Sequence, residues 1–169
     1  GKNHVFCRSD TYYSGHQQAM TSFTQTTLRT GCKINLFLNI CALRSDGYHD
    51  LETLFYPLPE PYDELVIQRR VEPGLGLVCP QLPCLAEEDT TLHRAWRLFQ
   101  ACCPLPGGFE IVLRKKVPTG AGLGGGSANA AGFLLYLNNL AGKDALSPTD
   151  LAVVAAKVGA DVPFFLLNK

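Results

Sequence analysis

The sequence predicts a mixed α+β or α/β layer protein, and three features carry that prediction. Apolar residues alternate with a period of two in the first half of the chain, as in half-buried strands. From Thr91 onward the apolar spacing becomes helical. A glycine-rich stretch, "PTGAGLGGGSANAAG" at residues 118–132, then joins a strand to an apolar helix. Strands and helices in that order favour a sheet packed against helices.

Taken in order, residues 1–27 show no apolar period and are rich in Thr, Ser and Gln, so a loose extension is expected there. Met20 is the only methionine, which makes it a plausible natural start. "CKINLFLNI" (32–40) alternates, with Ile34, Leu36, Leu38 and Ile40 on one face and Lys33, Asn35, Phe37 and Asn39 on the other. "SDGYHD" (45–50) is a turn cluster. "LETLFYPL" and "DELVIQR" read as two extended segments separated by the prolines of "PLPEPYD". Residues 72–90 read as a loop with a short strand near Leu77.

Leu92, Ala95, Trp96, Phe99 and Cys103 share one side of a helix that "PLPGG" ends, and Trp96 reads as core. "FEIVLRK" is the next strand, leading into the glycines. Ala130, Phe133, Leu134, Leu137 and Leu140 line the following helix, which stops near Gly142. Ser147 as N-cap, Pro148 in the first turn and Asp150 at the positive end announce another helix, closed by Gly159. "ADVPFFLL" reads as a strand beginning, and a strand with no partner after it suggests a truncated chain.

The composition narrows the function classes. Fifteen basic residues balance fifteen acidic ones in 169, so no overall field draws the chain to nucleic acid or an anionic membrane. No apolar run spans a bilayer and the first thirty residues lack a signal peptide's apolar core, so a cytoplasmic location is expected. The seven cysteines form no C-x-x-C pair and no zinc-like spacing with the four histidines, so reduced thiols, several of them buried, are expected. His16 and His93 read as surface residues.

A strand, a glycine-rich loop and a helix make a phosphate trap. The first-turn N–H groups lack partners within the helix, its dipole is positive there, and glycines let the backbone approach oxygen atoms closely. Ser127 is placed to cap the helix or offer its hydroxyl to a phosphate or a metal-bound water. The G-K-[ST] ending of a Walker loop is absent. "GAGLGG" from Gly120 fits G-x-G-x-x-G, but the acidic residue wanted about 20 positions on is Asp144, which follows a helix end and not a strand. Packing alone is the competing explanation; five glycines within 120–126, each costing about 1 kcal/mol of chain entropy, weigh toward an anionic ligand.

"PTGAGLGGGSANAAG" resembles the phosphate loop of the GHMP kinases. Its G-L-G-G-G-S form is similar to that of the branch acting on 4-diphosphocytidyl-2-C-methyl-D-erythritol, whereas most GHMP kinases carry G-L-G-S-S. "CKINLFLNICALRSDGYHDLETLFYPL", "EEDTTLHRAWRLF" and "VGADVPFFL" resemble further segments of that branch in the same order, so the likeness runs from about Leu28 to Leu167. Ala128 stands where the family usually has a second serine, and Thr90 where it has an asparagine near the adenine.

The likeness implies an α+β fold of the kind seen in domain 2 of ribosomal protein S5, with a mixed sheet packed against helices. Residues 28–169 would form the amino-terminal, ATP-binding domain, a carboxy-terminal domain being absent. It implies transfer of the ATP γ-phosphoryl group to the 2-hydroxyl of the diphosphocytidyl alcohol, in the non-mevalonate route to isoprenoids. Asp161 would be the general base and Lys33 the catalytic lysine, the cation stabilising negative charge on the reacting oxygen. Pro118, Thr119, Gly120, Ala121, Gly122, Leu123, Gly124, Gly125, Gly126, Ser127 and Ala128 would cradle the phosphates, Ser127 also helping to hold Mg²⁺.

Thr90 and Lys115 would lie near the nucleotide. Asn35, Tyr48 and His49 would bind substrate, Tyr48 stacking on cytosine and His49 hydrogen-bonding it. The plainer readings are a turn aspartate at 161, solvated strand lysines at 33 and 115, and an exposed loop at 48–49. The partner class implied is a small-molecule cytidine diphosphate derivative, without nucleic acid or membrane. A nucleotide-binding fragment without turnover, self-associating through surface that truncation exposes, is the alternative from another class; a further GHMP kinase acting on a smaller alcohol is the third.

Overall fold

The computed structural model describes residues 25–43, 49–86 and 89–167. Tyr48, His16 and the extension up to residue 24 lie outside the described residues. Four strands, β1 (Thr26–Leu43), β2 (His49–Arg70), β3 (Gly74–Val78) and β4 (Gly108–Arg114), form one sheet in the order β1-β2-β4-β3. β1–β2 and β2–β4 are antiparallel, whereas β3–β4 is parallel, which makes the sheet mixed. The parallel pair requires a crossover, supplied by α1 (Thr91–Cys102). The remaining helices are α2 (Gly125–Ala141), α3 (Pro148–Val158) and α4 (Val162–Leu167).

One sheet face carries the core. Leu65 and Ile67 of β2 and Phe109, Ile111 and Leu113 of β4 alternate inward, as the strand period dictates, and meet Leu92, Trp96 and Phe99 of α1 and Phe133, Leu134 and Leu137 of α2. Phe109 stands edge-on to Trp96, Phe133 and Tyr136, with ring centroids 5.3–5.9 Å apart, a favourable quadrupolar arrangement. The caps of α3 form as expected: Ser147 Oγ accepts the Asp150 N–H, Pro148 opens the helix and Gly159 closes it. Among the described cysteines all are free; Cys32, Cys79 and Cys103 are buried, and Cys41, Cys84 and Cys102 are exposed.

Six expectations are corrected. Residues 57–63 do not separate one strand from another: β2 runs through them, and the prolines sit in an interruption of the ladder, where Thr30 pairs with Asp63 and Cys32 with Leu58. That confines proline to a bulge, where no ladder N–H is needed. The strict alternation of β1 also breaks. A register shift between Asn35 and Phe37 moves Leu38, opposite Thr53, onto the face of Lys33 and Asn35, and Phe37, opposite Leu54, onto the other. This arm is not half-buried: Leu36 is 57 % and Leu54 58 % exposed.

Residues 162–167 form helix α4 and not a strand. Proline fits an early helical position, and Val162 and Leu166, one turn apart, are the buried pair. Leu140, expected on the core side of α2, is exposed near the helix end. His93, expected at the surface, is half-buried, its ring Nδ1 3.0 Å from Thr90 Oγ1.

Candidate phosphate loop and lysine–aspartate site

The glycine loop leaves the end of β4 and enters α2. Gly120, Gly122 and Gly124 have φ of +74°, +73° and +69°, and no residue other than glycine has positive φ among those described. Ala121 and Leu123 therefore keep negative φ between them. Alternating φ of this kind is the backbone pattern from which anion nests are built. Gly120 and Gly122 have open space where a Cβ would stand, so nothing packs against the loop at those two points. Gly124 takes the N-cap position, with no side-chain cap, so Ser127 is not the cap; it is the third helical residue. The positive end of α2 thus stays uncapped beneath the loop.

The loop forms one wall of a cavity of about 270 Å³ that Pro118 through Ser127 help to line. Its other walls are apolar (Leu77, Leu85, Leu92, Leu113), with Thr90, Thr91, Lys115 and Asn129 as polar members. Thr90 caps α1, and Thr91 Oγ1 donates to the Gly126 carbonyl at 3.0 Å, tying α1 to the first turn of α2. Ala128 is buried in that turn, its N–H donating to the Gly124 carbonyl at 2.9 Å.

A second cluster adjoins the loop. The Lys33 N–H donates to the Leu123 carbonyl at 2.9 Å, which docks β1 on the loop. The Lys33 side chain is only 5 % exposed as a residue, and its Nζ lies 2.5 Å from Asn35 Oδ1, 3.7 Å from Asp161 Oδ2 and 4.2 Å from the centre of the Phe55 ring. Asn35 Nδ2 in turn donates to Thr53 Oγ1, which donates to the Phe37 carbonyl. Asp161 stands in the turn before α4 and is partly open to solvent. A Cβ on Gly124 would meet Lys33 Cγ and the Phe165 ring at 3.1 Å, so the loop and the lysine–aspartate pair are in contact.

The structure therefore gathers Lys33, Asn35, Asp161 and residues 118–128 in one place, with Thr90 and Lys115 also lining the cavity. His49 opens β2 opposite Leu43, at the far end of the exposed arm. Among the described residues no three His, Cys, Asp or Glu side chains gather as a metal site, and no helix is long and apolar enough to cross a membrane.

One element was not expected. Asp63 is fully buried, and its carboxylate accepts from Lys115 Nζ (2.6 Å), the Lys116 and Val117 N–H groups (2.8 Å each) and Asn129 Nδ2 (3.0 Å). Thr30 Oγ1 completes the network by donating to Asn129 Oδ1 at 2.5 Å. Burial by itself pushes the Asp63 carboxyl up, but the Lys115 ammonium and the other donors outweigh it and hold the group below the usual carboxylate range. Burial, with the charge of Asp63 added, pushes the nearby Cys32 thiol up. The available sequence signal was a carboxylate at position 63, in step with the core-facing Leu65 and Ile67.

Comparisons with known proteins report what the chain resembles. The family model described as "GHMP kinases N terminal domain" matches residues 90–169. Residues 90–169 therefore carry the amino-terminal domain of that family. It is 48 % identical over 149 residues to a 4-diphosphocytidyl-2-C-methyl-D-erythritol kinase of Oleidesulfovibrio alaskensis, covering 88 % of this chain and 45 % of that protein. A kinase of the same name from Solidesulfovibrio magneticus is 48 % identical over 145 residues, covering 85 % and 49 %. A solved 4-(cytidine 5'-diphospho)-2C-methyl-D-erythritol kinase superposes with a TM-score of 0.70 at 38 % identity, over 85 % of this chain and 50 % of that one. The chain spans about half the length of the curated relatives it matches. The α+β architecture and the family likeness read from the sequence are thus both met.

Proposed function

We propose that this chain supplies the nucleotide-binding and catalytic half of a kinase that transfers the γ-phosphoryl group of ATP to the 2-hydroxyl of 4-diphosphocytidyl-2-C-methyl-D-erythritol, in the cytoplasmic synthesis of isoprenoids. The observation that carries the reading is the contact at Gly124 between a loop of alternating φ and the Lys33–Asp161 pair. Phosphoryl transfer asks the protein mainly for positioning and charge stabilisation. The loop N–H groups and the α2 terminus meet the phosphates, and the apolar end of the cavity suits a planar base. Asp161 takes the hydroxyl proton, and Lys33, fixed by Asn35 and Phe55, faces the negative charge of the transferred group.

Magnesium, when bound with ATP, offsets the charge of its phosphates. It keeps most of its water and asks for few protein oxygens, and the Ser127 hydroxyl, in the first turn of α2 and on the cavity wall, fits that demand. Asn35 and, on the likeness to the family, Tyr48 and His49 are assigned to the substrate.

A second reading is favoured by one observation: the cavity and its loop are built wholly from this chain, which spans half its relatives. The chain alone would then bind ATP without turnover. An ADP-release assay with ATP, Mg²⁺ and the diphosphocytidyl alcohol, beside Asp161→Asn, separates the two. Turnover abolished by the substitution supports the kinase. ATP binding without turnover supports the second reading, and absence of both overturns the nucleotide assignment.

A further inference from the structure

We propose that Asp63 is a positioning residue for the glycine loop, setting its grip on phosphate from beneath without touching the ligand; this rests on the nucleotide reading above. Among the described residues, the backbone hydrogen bonds of the loop outside α2 gather at its exit and none falls within 118–122. The loop is held at its ends. At the exit, the Lys33 N–H meets Leu123 and the Ala128 N–H meets Gly124. At the entry, both Asp63 oxygens are engaged: Oδ1 by the Lys116 and Val117 N–H groups, Oδ2 by Lys115 and by Asn129 of α2.

One carboxylate thereby joins the strand before the loop to the helix after it. A fully buried carboxylate is costly unless paired and hydrogen-bonded, and these four donors meet that condition. The Lys115 ammonium is bound in the same network, and a Cβ on Gly125 would lie 3.2 Å from its Nζ, so the lysine rests against the first turn of α2. Anion binding by backbone N–H groups depends on their preorganisation, and Asp63 is the group that fixes the entry of this loop.

The chemistry of the network supplies the test. In Asp63→Asn, one amide oxygen still accepts from the Lys116 and Val117 N–H groups, but the new NH₂ faces the Lys115 ammonium, donor against donor.

ATP and adenosine are titrated into each form by calorimetry, with amide exchange followed in the free proteins. Asp63→Asn is expected to weaken ATP by about tenfold or more, the loss of charge-assisted bonds, while adenosine, which has no phosphate, is unchanged. Exchange quickens at residues 116–126 and not in α3. Equal losses for ATP and adenosine, or an unchanged ATP affinity, overturn the proposal. If the unsubstituted chain binds no ATP, the nucleotide reading fails and exchange alone decides: faster loop exchange in Asp63→Asn upholds the anchoring role, and unchanged exchange overturns it. If Asp63→Asn does not fold, Asn129→Ala, which removes the α2 arm together with the Thr30 hydrogen bond, is read by the same ATP-against-adenosine criterion.

Discussion

The Lys33 ammonium lies 3.7 Å from the Asp161 carboxylate but 2.5 Å from the amide oxygen of Asn35, so the strand, more than the aspartate, fixes where the cation sits. The carboxylate is the more solvent-open partner and stays available to a hydroxyl. Removing the base should therefore leave the nucleotide site intact. In a turnover assay on ATP and the diphosphocytidyl alcohol, Asp161→Asn is expected to lower kcat by about 10²–10⁴-fold, the range for general base catalysis, with ATP affinity unchanged. A parallel loss of ATP affinity would show that Asp161 serves the loop and not the proton.

Gly122 and Gly124 share a backbone conformation but not surroundings, which allows strain and crowding to be told apart. Gly122→Ala meets only the left-handed backbone penalty, about 1 kcal/mol. Gly124→Ala adds a methyl against Lys33 Cγ and the Phe165 ring, each 3.1 Å away. Urea unfolding should show the larger loss for Gly124→Ala, which should also displace Lys33 and lower turnover. Equal losses would mean that the loop and the lysine are not packed together as described.

The two capped helices offer a comparison of another kind. Ser147 Oγ is 3.2 Å from the Asp150 N–H, whereas Thr90 Oγ1 is 3.5 Å from that of His93. Ser147→Ala should cost about 1 kcal/mol, and Ser147→Gly only a few tenths. Thr90→Ala should cost less than Ser147→Ala in thermal unfolding, yet change ATP affinity, because Thr90 lines the cavity. A change in ATP affinity with Ser147→Ala and none with Thr90→Ala would remove Thr90 from the site.

What the sequence made legible was local. The loop announces itself because positive φ at 120, 122 and 124 admits glycine almost alone, and α3 because its caps lie within three residues of its first turn. Lys33 and Asn35 were placed together by strand period, and no register shift falls between them. What stayed hidden was set by tertiary pairing. The slip beside Leu36 arises from how β1 meets β2, and a two-residue period cannot register a bulge before it occurs. Six residues of α4 are too few to separate a helical run from an apolar strand. Asp63 was missed because its donors stand at 115–117 and 129, far along the chain, although its place in the Leu65–Ile67 alternation marked it as a carboxylate facing the core.

That buried carboxylate also gives the fold a pH dependence of definite sign. The group is held below the usual carboxylate range in the folded chain, burial being outweighed by Lys115, the two backbone N–H groups and Asn129. When the chain unfolds, the same carboxyl returns to an ordinary value near 4. The unfolded state thus binds the proton more readily, so the stabilisation is complete above about pH 4 and is lost as pH falls through the folded value. The Cys32 thiol, pushed up by burial and by Asp63, stays protonated throughout that window and does not mask the effect. Urea unfolding from neutral pH to about pH 3 should show the parent chain losing stability more steeply than Asp63→Asn, the gap between them narrowing toward the acid end. Parallel curves would mean that the charge of Asp63 contributes nothing to the fold, and that neutral hydrogen bonds serve equally well at the entry to the loop.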